Sequence, residues 1–246
     1  SIKLKLPKKP KKFSLNIIID TGISINNLKN ILEDHCDYID MAKIGWGLSL
    51  ITPQLKKKIE IYKKFQIPVF FGGTLYEYVS NKNLYEEYLK WLKDLDVDTI
   101  EISDGTIDID TKDKLKAIET AKKNHFTVFS EVGKKDPNKI GSPLGWVSQI
   151  DQEFDSGSDY VILEGRESGR AGIYRENGEI RSGLLYDILE NNKKRINRLI
   201  FEAPNKDSQV YMIKNIGINV NLCNIDINEI LSLISLRYGL RSDTFN

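Results

Sequence analysis

Four glutamates stand where a globular chain seldom places them. Glu101, Glu131, Glu164 and Glu202 each lie within or at the end of a short apolar, β-branched run. Removing an unpaired carboxylate from water is costly, so four such positions need a reason. Lys43, Lys134, Lys135 and Arg166 occupy comparable places, and a ring of ion pairs is one explanation. The other is a hard divalent cation held by carboxylate oxygens, for which Mg²⁺ is the natural choice. Histidine is scarce: His35 and His125 are the only two, both in stretches that read as helix ends. That disfavours His-based zinc sites and Ser-His-Asp chemistry, leaving carboxylates, lysine, arginine and a metal ion.

Strand alternation separates the two adjacent lysines. Side chains at i, i+2 and i+4 share a face, so Glu131, Gly133 and Lys135 point one way and Lys134 the other. Lys135 is therefore the better candidate for a site, its plainer alternative being a loop cation that pairs with Glu131 or binds phosphate. Asp20 and Asp104 also close apolar runs, and the last run carries Asn221 and Asn224. Gly45, Gly47, Gly72, Gly73, Gly105, Gly133 and Gly165 cluster at the same run ends, where backbone N–H groups could approach an anion; tight turns use glycine as well. Trp46, between two glycines, could wall a pocket or pack at its rim.

The elements that must position these residues repeat with a regular beat. Eight apolar runs are expected as buried parallel strands: Leu15–Asp20, Tyr38–Gly45, Pro68–Gly73, Thr99–Gly105, Thr127–Gly133, Tyr160–Arg166, Leu199–Pro204 and Asn219–Ile225. Amphipathic stretches alternate with them at Ile23–Cys36, Pro53–Phe65, Leu84–Leu95, Lys112–Asn124, Leu144–Ser156, Leu184–Asn192, Ser208–Asn215 and Ile227–Leu236. Thr52 and Pro53 read as the N-cap and first position of the second of these helices. Eight βα units in 246 residues give a TIM (β/α)₈ barrel, for which ~250 residues is typical. An open doubly wound sheet is the runner-up, without a GxGxxG turn to support it. Residues 13–246 form the barrel domain, and residues 1–12 a lysine-rich arm. The glycine-bearing stretch 165–182 is either a mobile lid or an irregular loop. In a barrel the functional end is the C-terminal end of the strands, where the four glutamates lie.

Composition sets outer bounds. Lys+Arg number 36 and Asp+Glu 35, so a broadly basic nucleic-acid binder is not expected. No run approaches the ~18–20 apolar residues of a membrane span. Cys36 and Cys223 give neither a disulfide framework nor zinc spacing, and a reduced, cytoplasmic protein is the expectation.

Several segments, in order, resemble the phosphosulfolactate synthase family. They are Asp40-Met-Ala-Lys-Ile-Gly-Trp-Gly47, Gly72-Gly-Thr-Leu-Tyr-Glu77, Glu101-Ile-Ser-Asp-Gly105, Ser130-Glu-Val-Gly-Lys-Lys135, Leu163-Glu-Gly-Arg-Glu-Ser-Gly169, Phe201-Glu-Ala-Pro204, Asn219-Val-Asn-Leu222 and Gly239-Leu-Arg-Ser-Asp-Thr-Phe245. The resemblance implies Mg²⁺-dependent addition of sulfite to C3 of phosphoenolpyruvate by a homo-oligomer, a trimer being one arrangement. It serves coenzyme M synthesis in some members and sulfolactate formation in others. Applied to these residues, it makes Lys135 the general acid at C2, with Lys134 second. Glu101, Glu131, Glu164 and Glu202 are then candidate metal ligands, and Lys43, Arg166, Arg241 and Asn221 candidate substrate contacts. Asp20 and Asp104 orient the others. Thr21 and Leu48 depart from the family pattern, where a lysine and a threonine are common, and bear on anion contacts. A Schiff-base aldolase-type barrel and a non-catalytic binding or stress protein are the alternative classes.

Overall fold

The computed structural model describes residues 9–136, 139–166 and 168–245. Most of the arm (residues 1–8) and Glu167 lie outside the described residues. Eight strands alternate with helices: β1 (Asn16–Asp20), α1 (Ile25–His35), β2 (Met41–Ile44), α2 (Leu55–Lys64), β3 (Val69–Phe71), α3 (Gly73–Ser80), α4 (Tyr85–Asp94), β4 (Thr99–Ile102), α5 (Thr111–Lys123), β5 (Thr127–Val132), α6 (Pro143–Asp155), β6 (Tyr160–Leu163), α7 (Ser182–Asn191), β7 (Leu199–Glu202), α8 (Lys206–Ile216), β8 (Asn221–Asp226) and α9 (Ile230–Arg237). The strands pair in parallel in the order β3-β2-β1-β8-β7-β6-β5-β4, and β3 lies beside β4. The sheet thus curls into a nearly closed (β/α)₈ barrel, as expected from the sequence.

Period 2 along each strand divides the core. One face carries residues such as Ile18, Ala42, Ile100, Val128, Val161 and Leu222, which pack under the helices. The other fills the barrel with Ile17, Phe70, Phe129, Ile162, Ile200 and Cys223. Helices start on side-chain caps where the sequence supplies them: Ser24 for α1, Asp110 for α5, Ser142 followed by Pro143 for α6, and Asn205 in a capping box for α8.

Three expectations need correction. Helix α2 starts at Leu55 after Gln54, so Thr52 does not cap it; the Thr52 hydroxyl donates to Leu48 O at 2.8 Å, closing the preceding 3₁₀ turn. Helix α3 is additional and starts directly on the Gly72-Gly73 pair that the sequence reading ended a strand with. Its Tyr76 is buried against Tyr85, with ring centroids 5.5 Å apart. The stretch after β6 is anchored along its middle, which argues against a free lid. Ala171, Ile173 and Tyr174 are buried, Ile173 N–H donates to Glu164 O at 2.8 Å, and Tyr174 forms a bridge with Ile180. Of the arm, Lys11 pairs with Asp40 at 2.8 Å, and Tyr160 OH donates to Lys12 O at 3.0 Å.

Candidate active site

Two residues beyond the barrel-interior layer, five strands carry a charged residue. Phe129 is followed by Glu131, Ile162 by Glu164, and Ile200 by Glu202; Met41 is followed by Lys43, and Thr99 by Glu101. Alternation therefore stacks a layer of charge on a layer of hydrocarbon at the C-terminal end of the strands. All five charged side chains are buried.

The carboxylates divide three to one. Glu131, Glu164 and Glu202 each offer an oxygen within 4.8 Å of the others. Glu101 lines the same inner wall but stands outside this trio. Its Oε1 accepts the N–H of Gly73, the first residue of α3, at 2.6 Å, and its Oε2 pairs with Lys43 at 3.1 Å. The glycine is required there, since a Cβ at Gly73 would come within 2.3 Å of Ser103 Oγ. Lys43 also meets Glu202 Oε1 at 3.1 Å and stands 3.9 Å from Glu131. Glu202 accepts Gly165 N–H at 2.9 Å, and Glu164 accepts Arg166 N–H at 2.6 Å. Glu131 Oε1 and Glu164 Oε2 have no hydrogen-bond donor.

These environments drive the acidities apart. Burial, then Glu101 and Glu202, pushes Glu131 up to about 7. Burial with Glu131 and Glu202 beside it raises Glu164 well above the carboxylate range. For Glu202, burial works upward, but Lys43 and the Gly165 N–H outweigh it and its pKa falls. Adjacent carboxylates with orphaned oxygens have two ways to lower their energy: they share protons, or they hold a hard cation. The all-oxygen donor set, lining a small inner cavity, fits Mg²⁺.

Lys135 reaches into this acidic layer and Lys134 does not. Lys135 Nζ donates to Thr74 Oγ1 at 3.1 Å and lies 3.9 Å from Glu164 Oε2. Burial acts to lower its pKa, and Glu131, Glu164, Glu77 and Glu202 together more than reverse this, so it holds its proton firmly. Lys134 turns to Asp104, at 2.6 Å from the backbone O and 2.8 Å from Oδ2. Lys135 thus lines the inner cavity and Lys134 only an outer one, although β5 stops at Val132; a Lys135 N–H to Gly105 O bond at 3.0 Å carries the loop onward.

Two adjoining chambers open here. The inner one, about 40 Å³, is lined by the trio with Lys43, Lys135 and Asn224 among others. The outer one, about 430 Å³, has Lys134, Lys135, Lys139 and Arg166 in its walls. Its size falls within the ~300–1,000 Å³ of small-molecule sites. Trp46, Thr74, Lys135 and Arg166 belong to both chambers. A larger cavity of about 680 Å³ lies at the opposite end of the barrel, around Leu15, Met41 and Phe129. Lys11–Asp40 and Lys63–Asp96 are ion pairs within its lining, and barrel chemistry resides at the other end.

Other expected site residues serve elsewhere. Asn221 is at the start of β8, away from the chambers, where its carboxamide accepts Leu15 N–H and donates to Asn197 O and Leu199 O. Arg241 donates to Ser232 Oγ at 2.6 Å and lines neither chamber. Asp20 is buried behind the site, paired with Lys58 at 2.8 Å and accepting Tyr62 OH at 3.0 Å. Asp104 bridges Lys114 and Lys134, the orienting place expected for it. Thr21 and Leu48 line neither chamber. Several rim glycines bond within the fold instead of facing a ligand, as Gly73 and Gly165 show.

The sequence reading missed Thr74, which receives Lys135, and the buried Lys114. Lys114 Nζ contacts Asp104 Oδ1 at 2.7 Å, Glu153 Oε1 at 2.6 Å and the backbone O of Glu131 at 2.6 Å. The signal was available: Lys114 shares a helical stripe with the buried Ala117, Ile118 and Ala121.

The sequence and fold also match known proteins. Residues 5–243 match the family model described as (2R)-phospho-3-sulfolactate synthase (ComA). A phosphosulfolactate synthase of Methanocaldococcus jannaschii is 42% identical over 94% of this chain and 93% of its own length. One of Bacillus subtilis is 42% identical over 98% of this chain and 97% of its own. The crystal structure of the YdjI aldolase from Escherichia coli K12 superposes with a TM-score of 0.53 over 93% of this chain and 81% of its own, at 10% identity, a likeness of fold.

Proposed function

The chain belongs to the (2R)-phospho-3-sulfolactate synthase family, and from that premise we propose that it adds sulfite to phosphoenolpyruvate with the aid of Mg²⁺. The observation that carries this reading is the buried Glu131–Glu164–Glu202 trio beside Lys135, at the floor of a chamber whose walls carry lysine and arginine.

In this reaction the sulfur of sulfite bonds to C3 of phosphoenolpyruvate. The C2=C3 electron pair moves toward C2 and the carboxylate, giving an enediolate-like species. A proton delivered to C2 completes (2R)-phospho-3-sulfolactate, and the phosphate ester stays intact. Mg²⁺ held by Glu131, Glu164 and Glu202 would supply Lewis-acid stabilisation of the charge on the carboxylate oxygens. Lys135 is the proton donor at C2, held by Thr74 and facing the inner chamber. Arg166 and the outer-chamber lysines attract the phosphate and sulfite oxygens. Lys43 neutralises Glu101 and Glu202 from below, so that the acidic layer is not left uncompensated. The raised Lys135 pKa supports an acid over a Schiff-base nucleophile, which needs a lysine that loses its proton readily.

The test is direct. Purified protein incubated with phosphoenolpyruvate, sulfite and Mg²⁺ should yield phosphosulfolactate by mass spectrometry, and EDTA should stop it. No product at high enzyme concentration, or borohydride trapping of a substrate adduct on Lys135, would overturn the proposal.

A further inference from the structure

Strand β8 contains one residue too many for its neighbour. Against β1, Asn16 pairs with Leu222 but Ile18 pairs with Ile225, so two residues on β1 face three on β8. On the other side β8 pairs regularly with β7 up to Glu202–Cys223. The extra residue lies at Cys223–Asn224, where Asn224 takes φ +59°. Leu222 and Ile225 face the helices, while Cys223 belongs to the barrel interior. Regular alternation would send Asn224 outward with them. The bulge instead brings two consecutive residues inward, and Asn224 lines the inner chamber.

The carboxamide arrives there without a protein partner for its oxygen. Asn224 is 5% exposed, and its Oδ1 accepts no hydrogen bond. Among the described residues, Asn224 is the one non-glycine with positive φ inside a strand. Three such strained residues, Trp46, Arg166 and Asn224, line the same chamber. Backbone strain that gathers around a cavity marks side chains aimed at a ligand. The contribution of β1 to this wall is Ile19, so the carboxamide is the polar group that the β8–β1 side offers. It is also uncharged, in a chamber already crowded with carboxylates, and a half-turn about χ2 presents either the N–H₂ or the oxygen.

We propose that Asn224 is a substrate-contacting residue, turned inward by the β8 bulge so that its carboxamide N–H₂ donates a hydrogen bond to an oxyanion oxygen of the bound substrate. This rests on the sulfite-addition reading for the identity of the substrates, and either phosphoenolpyruvate or sulfite could supply the oxygen.

Two substitutions test it, since both glycine and aspartate tolerate the backbone conformation. Asn224→Gly removes the carboxamide and relieves the strain, so its melting temperature should equal or exceed that of the wild type. Its KM should rise about tenfold or more for one substrate, with a smaller change in kcat. Asn224→Asp keeps the shape but sets a carboxylate against the anion, and should raise that same KM further. Whether phosphoenolpyruvate or sulfite is affected identifies the source. Both KM values within twofold of the wild type in Asn224→Gly, or wild-type behaviour in Asn224→Asp, would overturn the proposal. So would a lowered melting temperature with unchanged KM values, which marks a structural role. Should the wild type make no product, the reaction reading fails and this proposal is judged by binding. Phosphoenolpyruvate or sulfite should then raise the melting temperature of the wild type and not of Asn224→Asp; equal shifts, or no shift in either protein, would overturn it.

Discussion

Replacing Glu131 by glutamine should make the metal-free chain more stable. Glu131 is 3% exposed, and burial with Glu101 and Glu202 lifts its pKa to about 7. In the unfolded chain it titrates near ~4.3, so the folded chain binds this proton more tightly. Stability from this group is therefore full below pH ~4.3 and is lost as pH rises through about 7. Relative to low pH this group lowers stability by about 3–4 kcal/mol at pH 8 and by about 1 kcal/mol at pH 5. The neutral carboxamide of the variant resembles the protonated carboxyl at every pH. In urea denaturation with EDTA, Glu131→Gln should exceed the wild type by about 3–4 kcal/mol at pH 8, with the gap shrinking toward pH 5. Excess Mg²⁺ should stabilise the wild type alone and close the gap, while the variant loses turnover. A variant no more stable than wild type at pH 8 would refute the reasoning, as would a gap independent of pH. It would mean that Glu131 is already compensated by Lys43 and Lys135.

Two more substitutions probe the lysines. Lys135→Ala should cost about 10²–10⁴ in kcat with the fold intact by circular dichroism, whereas Lys134→Ala, which loses a contact to Asp104, should cost less; the reverse ranking in steady-state assays would move the proton donor. Lys114→Met leaves Asp104 and Glu153 without their shared buried cation and should cost about 3–5 kcal/mol of stability in urea, partly recovered in Lys114→Met/Glu153→Gln.

The barrel was legible because each strand is a short β-branched run and each helix an amphipathic stripe of nearly constant spacing. Local exceptions came from contacts that no local pattern carries. Helix α3 follows β3 without a loop, and its N-terminus is held by Glu101, a residue 28 positions away from Gly73. That same bond engages one oxygen of Glu101, which lines the chamber beside the other three but stands outside their close trio. Asn221 and Asn224 lie three residues apart, and the sequence favoured Asn221. A regular strand puts Asn221 and Cys223 on the inner face and Asn224 outside, and only the register slip against β1 reverses this for Asn224. Lys58 and Lys114, by contrast, were readable as cations on the apolar stripes of α2 and α5.

A net charge of +1 conceals how these charges are arranged. The acidic trio is at the bottom of the site, directly above the hydrocarbon layer of Phe129, Ile162 and Ile200. In the chamber above it, Lys134, Lys135, Lys139 and Arg166 outnumber Asp108 and Asp136. The order suits substrates that are anions and need a cation. A basic mouth draws anions in, because its potential acts over a Debye length of ~8 Å. A purely basic floor would hold them in the ground state as tightly as in the transition state, and uniform binding does not speed chemistry. An acidic floor repels an anion unless a divalent ion lies between them, so the proposed reaction would make productive binding conditional on the metal. Lys135 lies at the boundary between these two layers, shared by both chambers. In the proposed reaction its proton would meet negative charge only where a bound ion and the basic wall bring that charge, beside the carboxylates that keep the lysine protonated.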